Sequence, residues 1–132
     1  KEDFILKVHE SAENYLETIL VLSKRNGNVR SIDIATELGF SKPSISNAMK
    51  QFREQGYISV DSNGSITLTK SGLEIANRVY ERHLLLTKCL MALGVSEATA
   101  KEDACRIEHI ISQESFNKIK EHCKSVDNIK DV

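Results

Sequence analysis

The stretch SKPSISNAMKQFREQGY, residues 41–57, most constrains what this chain can fold into. Ser41 can cap a helix N-terminus, and Pro43 lies near the first turn, where its missing N–H costs little. Residues Ile45, Met49 and Phe52 recur at helical spacing and form one apolar stripe. The side chains off that stripe are short hydrogen-bonding groups and cations: Ser44, Ser46, Asn47, Lys50 and Arg53. The stretch predicts an amphipathic helix, either an ordinary surface helix or one that reads a DNA groove.

Two further helices are predicted upstream of this one. Residues 11–23 carry an apolar face, and Ser11 can cap them. Residues 32–38 form a short helix that Ser31 can cap and that Gly39 ends. A short helix, a tight turn with glycine and a longer polar-faced helix are the helix-turn-helix arrangement.

A hairpin follows directly. Residues 57–60 and 66–69 are short β-type runs, and the turn between them contains Asn63 and Gly64, a pair typical of hairpins. Three helices and this hairpin predict a winged helix, which binds DNA in one interpretation and only other proteins in the alternative. The fold class is therefore mainly α, with an N-terminal winged helix-turn-helix, a two-stranded wing and a following α-helical dimerisation domain.

The rest of the chain is helical. We predict helices over residues 73–93, 96–111 and 112–124, and a polar tail over residues 125–132. The apolar surface of these helices exceeds what one copy can bury, which favours a homodimer. The domain boundaries predicted on this basis are 1–70 for the DNA-binding head, 71–124 for the metal-binding and dimerisation body, and 125–132 for the tail.

Charge is unevenly distributed along the chain. Residues 24–56 hold six Lys or Arg and three Asp or Glu, a local charge of +3, whereas the whole chain has a net charge of −1. A small basic head on an acidic body suits modest phosphate binding by two copies acting together. No apolar run is long enough to cross a bilayer, so we expect a cytoplasmic protein without membrane contact. The three cysteines are odd in number and show no paired spacing, which argues against a disulfide framework and for a reducing compartment.

A candidate metal site lies in the predicted helix over residues 96–111. Cys105, Glu108 and His109 stand at i, i+3 and i+4, which places a thiolate, a carboxylate and an imidazole on one helical face. The thiolate favours Fe²⁺, Co²⁺, Ni²⁺ or Zn²⁺ over Mg²⁺ or Ca²⁺. Alternatively, the cysteine is a small buried hydrophobe and the Glu-His pair is solvated. Because three ligands do not complete a shell, other helices must contribute, and the available donors are Asn14, Glu17 and His83.

Five segments in this order resemble one known family: SAENYLETI, the SKPSIS helix, the wing, YERHLLL and DACRIEHIIS. The family is that of the diphtheria toxin repressor and the manganese transport regulator, which are metal-activated bacterial transcriptional repressors. The resemblance runs from about residue 11 to residue 122. It implies a metal-dependent repressor of metal-ion homeostasis genes, with iron uptake genes as the first expectation, and no enzymatic activity.

The resemblance also implies a ligand set. Cys105, Glu108 and His109 match the cysteine, glutamate and histidine of the iron-type activating site. Glu17 and His83 match ligands of the paired-metal site in the manganese branch. The architecture resembles the short manganese branch, whereas the cysteine resembles the iron branch. We therefore expect Fe²⁺, with Mn²⁺ as the alternative and Co²⁺, Ni²⁺ or Zn²⁺ as possible substitutes.

The chain departs from the family pattern at three positions. Asn14 stands where the iron branch has methionine and the manganese branch has aspartate, and its carbonyl oxygen can still bind a metal. Thr87 and Lys101 stand where the iron branch has further ancillary ligands. Neither residue is expected to bind a metal. The positive charge of Lys101 would, in addition, repel a nearby cation.

The resemblance places Ser41, Pro43 and Asn47 toward DNA bases, and Ser44 and Ser46 toward phosphates. Arg30 and Lys50 are added from their charge and position. The expected mechanism is a metal that joins head to body and so sets the spacing of two recognition helices on a palindromic operator. The alternatives are a thiol sensor that uses oxidation of Cys105 and, in another class, a zinc hydrolase, for which the chain lacks a His-Glu-x-x-His run.

Overall fold

A computed structural model of the chain describes residues 2–124, with side chains from residue 10 to residue 123. It contains six helices and one two-stranded antiparallel sheet within that range: α1 Glu2–Asn26, α2 Ser31–Leu38, α3 Lys42–Glu54, β1 Ile58–Val60, β2 Ile66–Leu68, α4 Lys70–Ala92, α5 Glu97–Ile110 and α6 Gln113–Lys124. The prediction of a mainly helical fold with a winged helix-turn-helix head is confirmed. None of these helices is long and apolar enough to cross a membrane.

The chain divides into two compact units, residues 1–77 and 78–132. The division falls inside α4, because the first turns of this helix pack on the wing. Gly72 approaches the backbone of Tyr57 so closely that a Cβ at this position would overlap the Tyr57 carbonyl oxygen. The hydroxyl groups of Thr69 and Ser71 also donate to the carbonyl of Gly56, at 2.6 and 3.1 Å. The predicted tail, residues 125–132, lies outside the described residues.

The helix α3 forms as the sequence predicts. The Ser41 hydroxyl accepts the Ser44 N–H at 3.3 Å, and Pro43 occupies the first turn. Its apolar stripe faces the core of the first unit, with Ile45, Met49 and Phe52 all buried. The stripe thus fixes which face of α3 points away from the core.

Two predicted helix starts are wrong. Helix α1 begins at Glu2, so that Ser11 lies inside it and caps nothing. Residues 2–10 contain no glycine or proline, the residue types that are least favourable inside a helix. Helix α2 is capped by Arg30 rather than Ser31, because the Arg30 N–H donates to the Asp33 carboxylate at 2.9 Å.

The wing is a short hairpin held at both ends. Its register pairs Ile58 with Leu68, Ser59 with Thr67 and Val60 with Ile66. At the tip, the Asp61 carboxylate accepts the N–H groups of Asn63 and Ser65, each at 2.9 Å, and Gly64 takes a positive φ of 81°. Next to the turn, the Ile66 N–H donates to the Val29 carbonyl at 2.7 Å, which ties the wing to the segment before α2, and at the base the Thr69 N–H donates to the Tyr57 carbonyl at 3.0 Å.

Helices α4 and α6 run in the same direction within the second unit and meet along one seam. The Arg82 guanidinium lies 5.5 Å from the centre of the Phe116 ring. The ammonium group of Lys120, one turn further along α6, pairs at 2.6 Å with Glu81, the residue before Arg82. Helix α5 connects them, and the Ser96 hydroxyl caps its N-terminus by accepting the Thr99 N–H at 3.4 Å.

The same seam contains a disulfide that sequence analysis argued against. Cys89 of α4 is bonded to Cys123 of α6, whereas Cys105 is free and exposed. The prediction failed because it considered the count and local spacing of the cysteines. The two sulfurs are brought together by helix packing across a sequence separation of 34 residues.

Candidate metal centre and DNA-binding face

Helix α5 presents three potential metal ligands on one face. The Sγ atom of Cys105, a carboxylate oxygen of Glu108 and an imidazole nitrogen of His109 all lie within 4.8 Å of one another. Because bonds to first-row ions are about 2.0–2.3 Å long, two ligands of one ion lie at most about 4.6 Å apart. The cluster is therefore close to the size that one ion requires, and the donor set suits a first-row divalent ion.

Glu108 is the centre of this cluster. Its side chain is 0% exposed, and its carboxylate oxygens lie 2.8 Å from Nδ1 of His83 and 3.4 Å from Nε2 of His109. His83 is 24% exposed and His109 is 9% exposed. A buried carboxylate is costly unless it is paired and hydrogen-bonded or coordinates a metal ion. The fold of the second unit thus places His83 of α4 in contact with Glu108, one of the predicted ligands on α5.

Arg82 holds this arrangement in place, and sequence analysis missed it. Its guanidinium donates to the carbonyl oxygens of Glu108 and Ile111, at 3.2 and 3.0 Å, and to the side-chain oxygen of Gln113 at 2.9 Å. The contacts fix the end of α5 and the start of α6 against α4. A charged residue on the apolar stripe of α4, between Val79 and Leu86, was the signal available in the sequence.

Asn14 and Glu17 lie in the first unit, three residues apart on α1. Glu17 is buried and Asn14 is half-buried, and the Thr18 hydroxyl donates to the Asn14 main-chain carbonyl at 2.7 Å. The spacing of one turn places both side chains on adjacent parts of one helical face. Their part in a shared metal site stays a prediction.

Thr87 and Lys101 have other contacts. The Thr87 hydroxyl donates to the His83 carbonyl at 2.7 Å. The Lys101 ammonium pairs with the Glu97 carboxylate at 2.8 Å. That hydrogen bond and the adjacent positive charge lower the pKa of the Glu97 carboxyl. These contacts agree with the expectation that neither residue is a metal ligand.

The predicted DNA-contacting residues are all exposed on the first unit: Arg30, Ser41, Pro43, Ser44, Ser46, Asn47 and Lys50. Six of them belong to α3 or its cap, on the face opposite the buried stripe. The Ser41 hydroxyl also donates to the Ser44 hydroxyl at 2.9 Å, so these two groups are already ordered with respect to each other. One nearby cation is neutralised, since Arg25 pairs with Glu37 at 2.9 Å.

Comparison with known proteins agrees with both halves of this description. The family model of the iron-dependent repressor N-terminal DNA-binding domain matches residues 7–65, and that of the metal-binding and dimerisation domain matches residues 69–128. Transcriptional regulator MntR of Salmonella typhimurium is 33% identical over 108 residues, which are 82% of this chain and 69% of that protein. The chain belongs to the diphtheria toxin repressor and manganese transport regulator family.

Further known proteins are similar to this chain in sequence or structure. An uncharacterized HTH-type transcriptional regulator of Methanocaldococcus jannaschii is 32% identical over 113 residues, which are 84% of this chain and 90% of that protein. The manganese regulator SloR superposes with a TM-score of 0.75 at 26% identity, covering 87% of this chain and 54% of that one. A manganese-dependent repressor solved with manganese gives a TM-score of 0.77 at 27% identity, covering 84% and 51%.

The chain thus spans about half the length of these two solved proteins. The prediction of a metal-dependent transcriptional repressor, with a DNA-binding domain and a dimerisation domain, is confirmed at the level of the family.

Proposed function

We propose that this chain is a metal-activated repressor whose activating ion binds around Glu108. The observation that carries the proposal is the buried Glu108 carboxylate, with imidazole nitrogens 2.8 and 3.4 Å away and a cysteine thiol in the same cluster. The proposed ligands of the second unit are His83, Cys105, Glu108 and His109. Asn14 and Glu17 of the first unit are proposed to complete the shell.

Fe²⁺ is our first choice of ion. The Cys105 thiolate is a softer ligand than the oxygen ligands that suit Mn²⁺ and Mg²⁺, and it raises the relative affinity for Fe²⁺, Co²⁺ and Zn²⁺. Mn²⁺ is the alternative, because two similar proteins of known structure are described as a manganese regulator and a manganese-dependent repressor. When bound, the ion supplies positive charge to the buried carboxylate and a fixed geometry to its ligands.

Calorimetric titration of the metal-free protein distinguishes these ions. The titrants are Mn²⁺, Zn²⁺ and, under anaerobic conditions, Fe²⁺. We expect Cys105→Asp to weaken Fe²⁺ and Zn²⁺ binding relative to Mn²⁺, because it replaces sulfur with oxygen. Unchanged ratios of the Fe²⁺ and Zn²⁺ affinities to the Mn²⁺ affinity in this variant would exclude Cys105 as a ligand.

The role of Glu108 has a matched control on the same helix. We expect Glu108→Gln to weaken metal binding by at least about 100-fold, since even outer-shell changes cost 10–100-fold. Glu102→Gln makes the same change at an exposed position, where the carboxylate pairs with Arg106 at 3.5 Å. Equal affinities for the two variants would contradict the proposed site.

On the DNA side, we propose that α3 enters the major groove with its exposed polar face. The Asn47 amide can make two hydrogen bonds to adenine, and Lys50 and Arg30 can neutralise phosphates. Because this face carries few cations, one copy holds DNA weakly and two copies are required. The proposed operator is therefore palindromic, with half-sites about 34 Å apart or at a related spacing, and iron uptake genes are the first candidates for regulation.

In this mechanism the metal ligands restrict how the DNA-binding unit is held relative to the dimerisation unit. The restriction lowers the ordering cost of placing two recognition helices on one operator. By linkage, operator DNA must raise metal affinity by the same factor as the metal raises DNA affinity. Equal DNA affinity in chelator and in saturating metal would refute the mechanism.

Fluorescence anisotropy with a labelled operator measures the DNA contacts. We expect Asn47→Ala to lose about 1–3 kcal/mol of discrimination at one base pair. Asn77→Ala, at an exposed helical position of α4, is the matched control and should not change specificity. We expect Lys50→Ala to weaken binding to all sequences and to reduce the salt dependence by about one phosphate contact.

A second candidate is regulation by oxidation of Cys105, which is free and exposed. Cys105→Asp separates the two possibilities. Metal-dependent DNA binding survives this change if the metal is the signal. If oxidation of Cys105 is the signal, the variant no longer responds to an oxidant.

A further inference from the structure

The paired cysteines lie at one end of a continuous helix–helix seam. Arg82 and Cys89 are seven residues apart on α4, and Phe116 and Cys123 are seven residues apart on α6, so each pair occupies one helical face. Phe116 follows Arg82 by the same 34 residues that separate the two cysteines. The seam therefore begins with the contact between Arg82 and the Phe116 ring, and the Cys89–Cys123 disulfide lies two turns later.

The two cysteine residues differ in their exposed fraction. Cys123 is 7% exposed, whereas Cys89 is half-buried. Both line an apolar groove of about 630 Å³ that is open to solvent, together with Leu86, Leu90 and Ile119. A small reagent can therefore approach the pair through the groove, and Cys89 is the more exposed of the two residues.

We propose that Cys89 and Cys123 form a reversible dithiol–disulfide site that exchanges with low-molecular-weight disulfides. In the oxidising direction, the Cys89 thiolate attacks one sulfur of the small disulfide and releases one thiol. The Cys123 thiolate then attacks the Cys89 sulfur of the mixed disulfide and releases the second thiol. Two protein thiols are oxidised to one disulfide and one small disulfide is reduced to two thiols, so electrons and protons balance.

Oxidation ties α6 to α4 within one subunit. The closed segment between Cys89 and Cys123 contains all of α5, and with it Glu108 and His109. Closing a loop of this length removes conformational freedom from the unfolded chain. The disulfide therefore holds the α5–α6 segment to α4 at the end of the seam opposite Arg82.

The inference does not depend on metal binding and is tested on the full chain in chelator. The protein is equilibrated anaerobically in buffers of reduced and oxidised glutathione at several ratios, quenched in acid and alkylated with N-ethylmaleimide. We expect the number of alkylated cysteines to fall from three to one as the oxidised fraction rises. Peptide mapping should assign the loss to Cys89 and Cys123, and Cys105→Ser should fall from two to zero over the same ratios.

Three alkylated cysteines at every ratio would overturn the proposal. An oxidised product whose disulfide contains Cys105 would also overturn the proposal. A disulfide that joins two subunits, seen on a non-reducing gel, would do the same. We also expect oxidation to raise the melting temperature by about 10 °C. The double variant Cys89→Ala/Cys123→Ala should melt at one temperature under both conditions, and an equal melting temperature for reduced and oxidised wild type would refute the structural role.

Discussion

Replacing Arg82 with methionine tests whether the Arg82 side chain holds the end of α5 and the start of α6 in place. The guanidinium makes three hydrogen bonds, to the carbonyl oxygens of Glu108 and Ile111 and to the side chain of Gln113, at 2.9–3.2 Å. Its residue is 8% exposed. Methionine keeps most of the apolar stem that packs in the second unit and removes all three donors.

The cost can be estimated from the contacts. Leaving a buried acceptor without its donor costs about 1–3 kcal/mol, and some of that is recovered when water reaches the Ile111 and Gln113 oxygens. We expect a loss of about 3 kcal/mol in the free energy of unfolding for Arg82→Met. For a chain of this size that corresponds to a melting temperature about 10 °C lower. Thermal unfolding in chelator, followed by circular dichroism, measures it.

Arg106→Met is the matched control, because it makes the same substitution on the same structural unit. The Arg106 side chain is 77% exposed and pairs with Glu102 at 3.5 Å. Exposed pairs of this kind contribute less than about 1 kcal/mol. If Arg82→Met and Arg106→Met lower the melting temperature equally, Arg82 does not hold the end of α5 and the start of α6 against α4. Arg82→Lys should recover part of the loss, since it retains a positively charged donor group but not the planar fork of the guanidinium.

Three further changes test other parts of the structure. We expect Gly72→Ala to destabilise by about 2 kcal/mol in denaturant unfolding, because its Cβ would overlap the Tyr57 carbonyl, whereas Asn77→Ala on the same helix should be neutral or slightly stabilising. We expect Ser41→Ala to lose about 1 kcal/mol through its helix cap, against less than about 0.5 kcal/mol for Ser46→Ala. Adding the activating metal at 100 times its dissociation constant should stabilise the protein by about 2.7 kcal/mol, and chelator should reverse this; an unchanged melting temperature would contradict metal binding to the folded state.

The parts of the fold that sequence patterns predicted are those set by local spacing. The α3 cap, its buried stripe and the Gly39 turn depend on residues within one or two helical turns of each other. The same holds for Cys105, Glu108 and His109, whose shared helical face follows from their numbering alone. Such relations are fixed once a segment is known to be helical.

Contacts between helices were not predictable in this way. The disulfide between Cys89 and Cys123 depends on how α4 and α6 pack, and no local pattern in the sequence encodes that packing. Arg82 was missed for the same reason, since its partners follow it by 26 to 31 residues. The start of α1 was missed because Ser11 satisfies the cap pattern, and competing helical signals in residues 2–10 extended the helix past it.

Glu108 shows why metal affinity and the packing of the second unit should be coupled. Its carboxylate lies between two histidines, whereas its main-chain carbonyl is held by Arg82. A shift of α5 that breaks the Arg82 contact therefore moves a proposed ligand as well as the helix end. Because ligand atoms must lie within a few tenths of an ångström of their required positions, small displacements of α5 weaken binding before the unit unfolds. Changes along the α4–α6 seam should consequently lower metal affinity even though they touch no ligand.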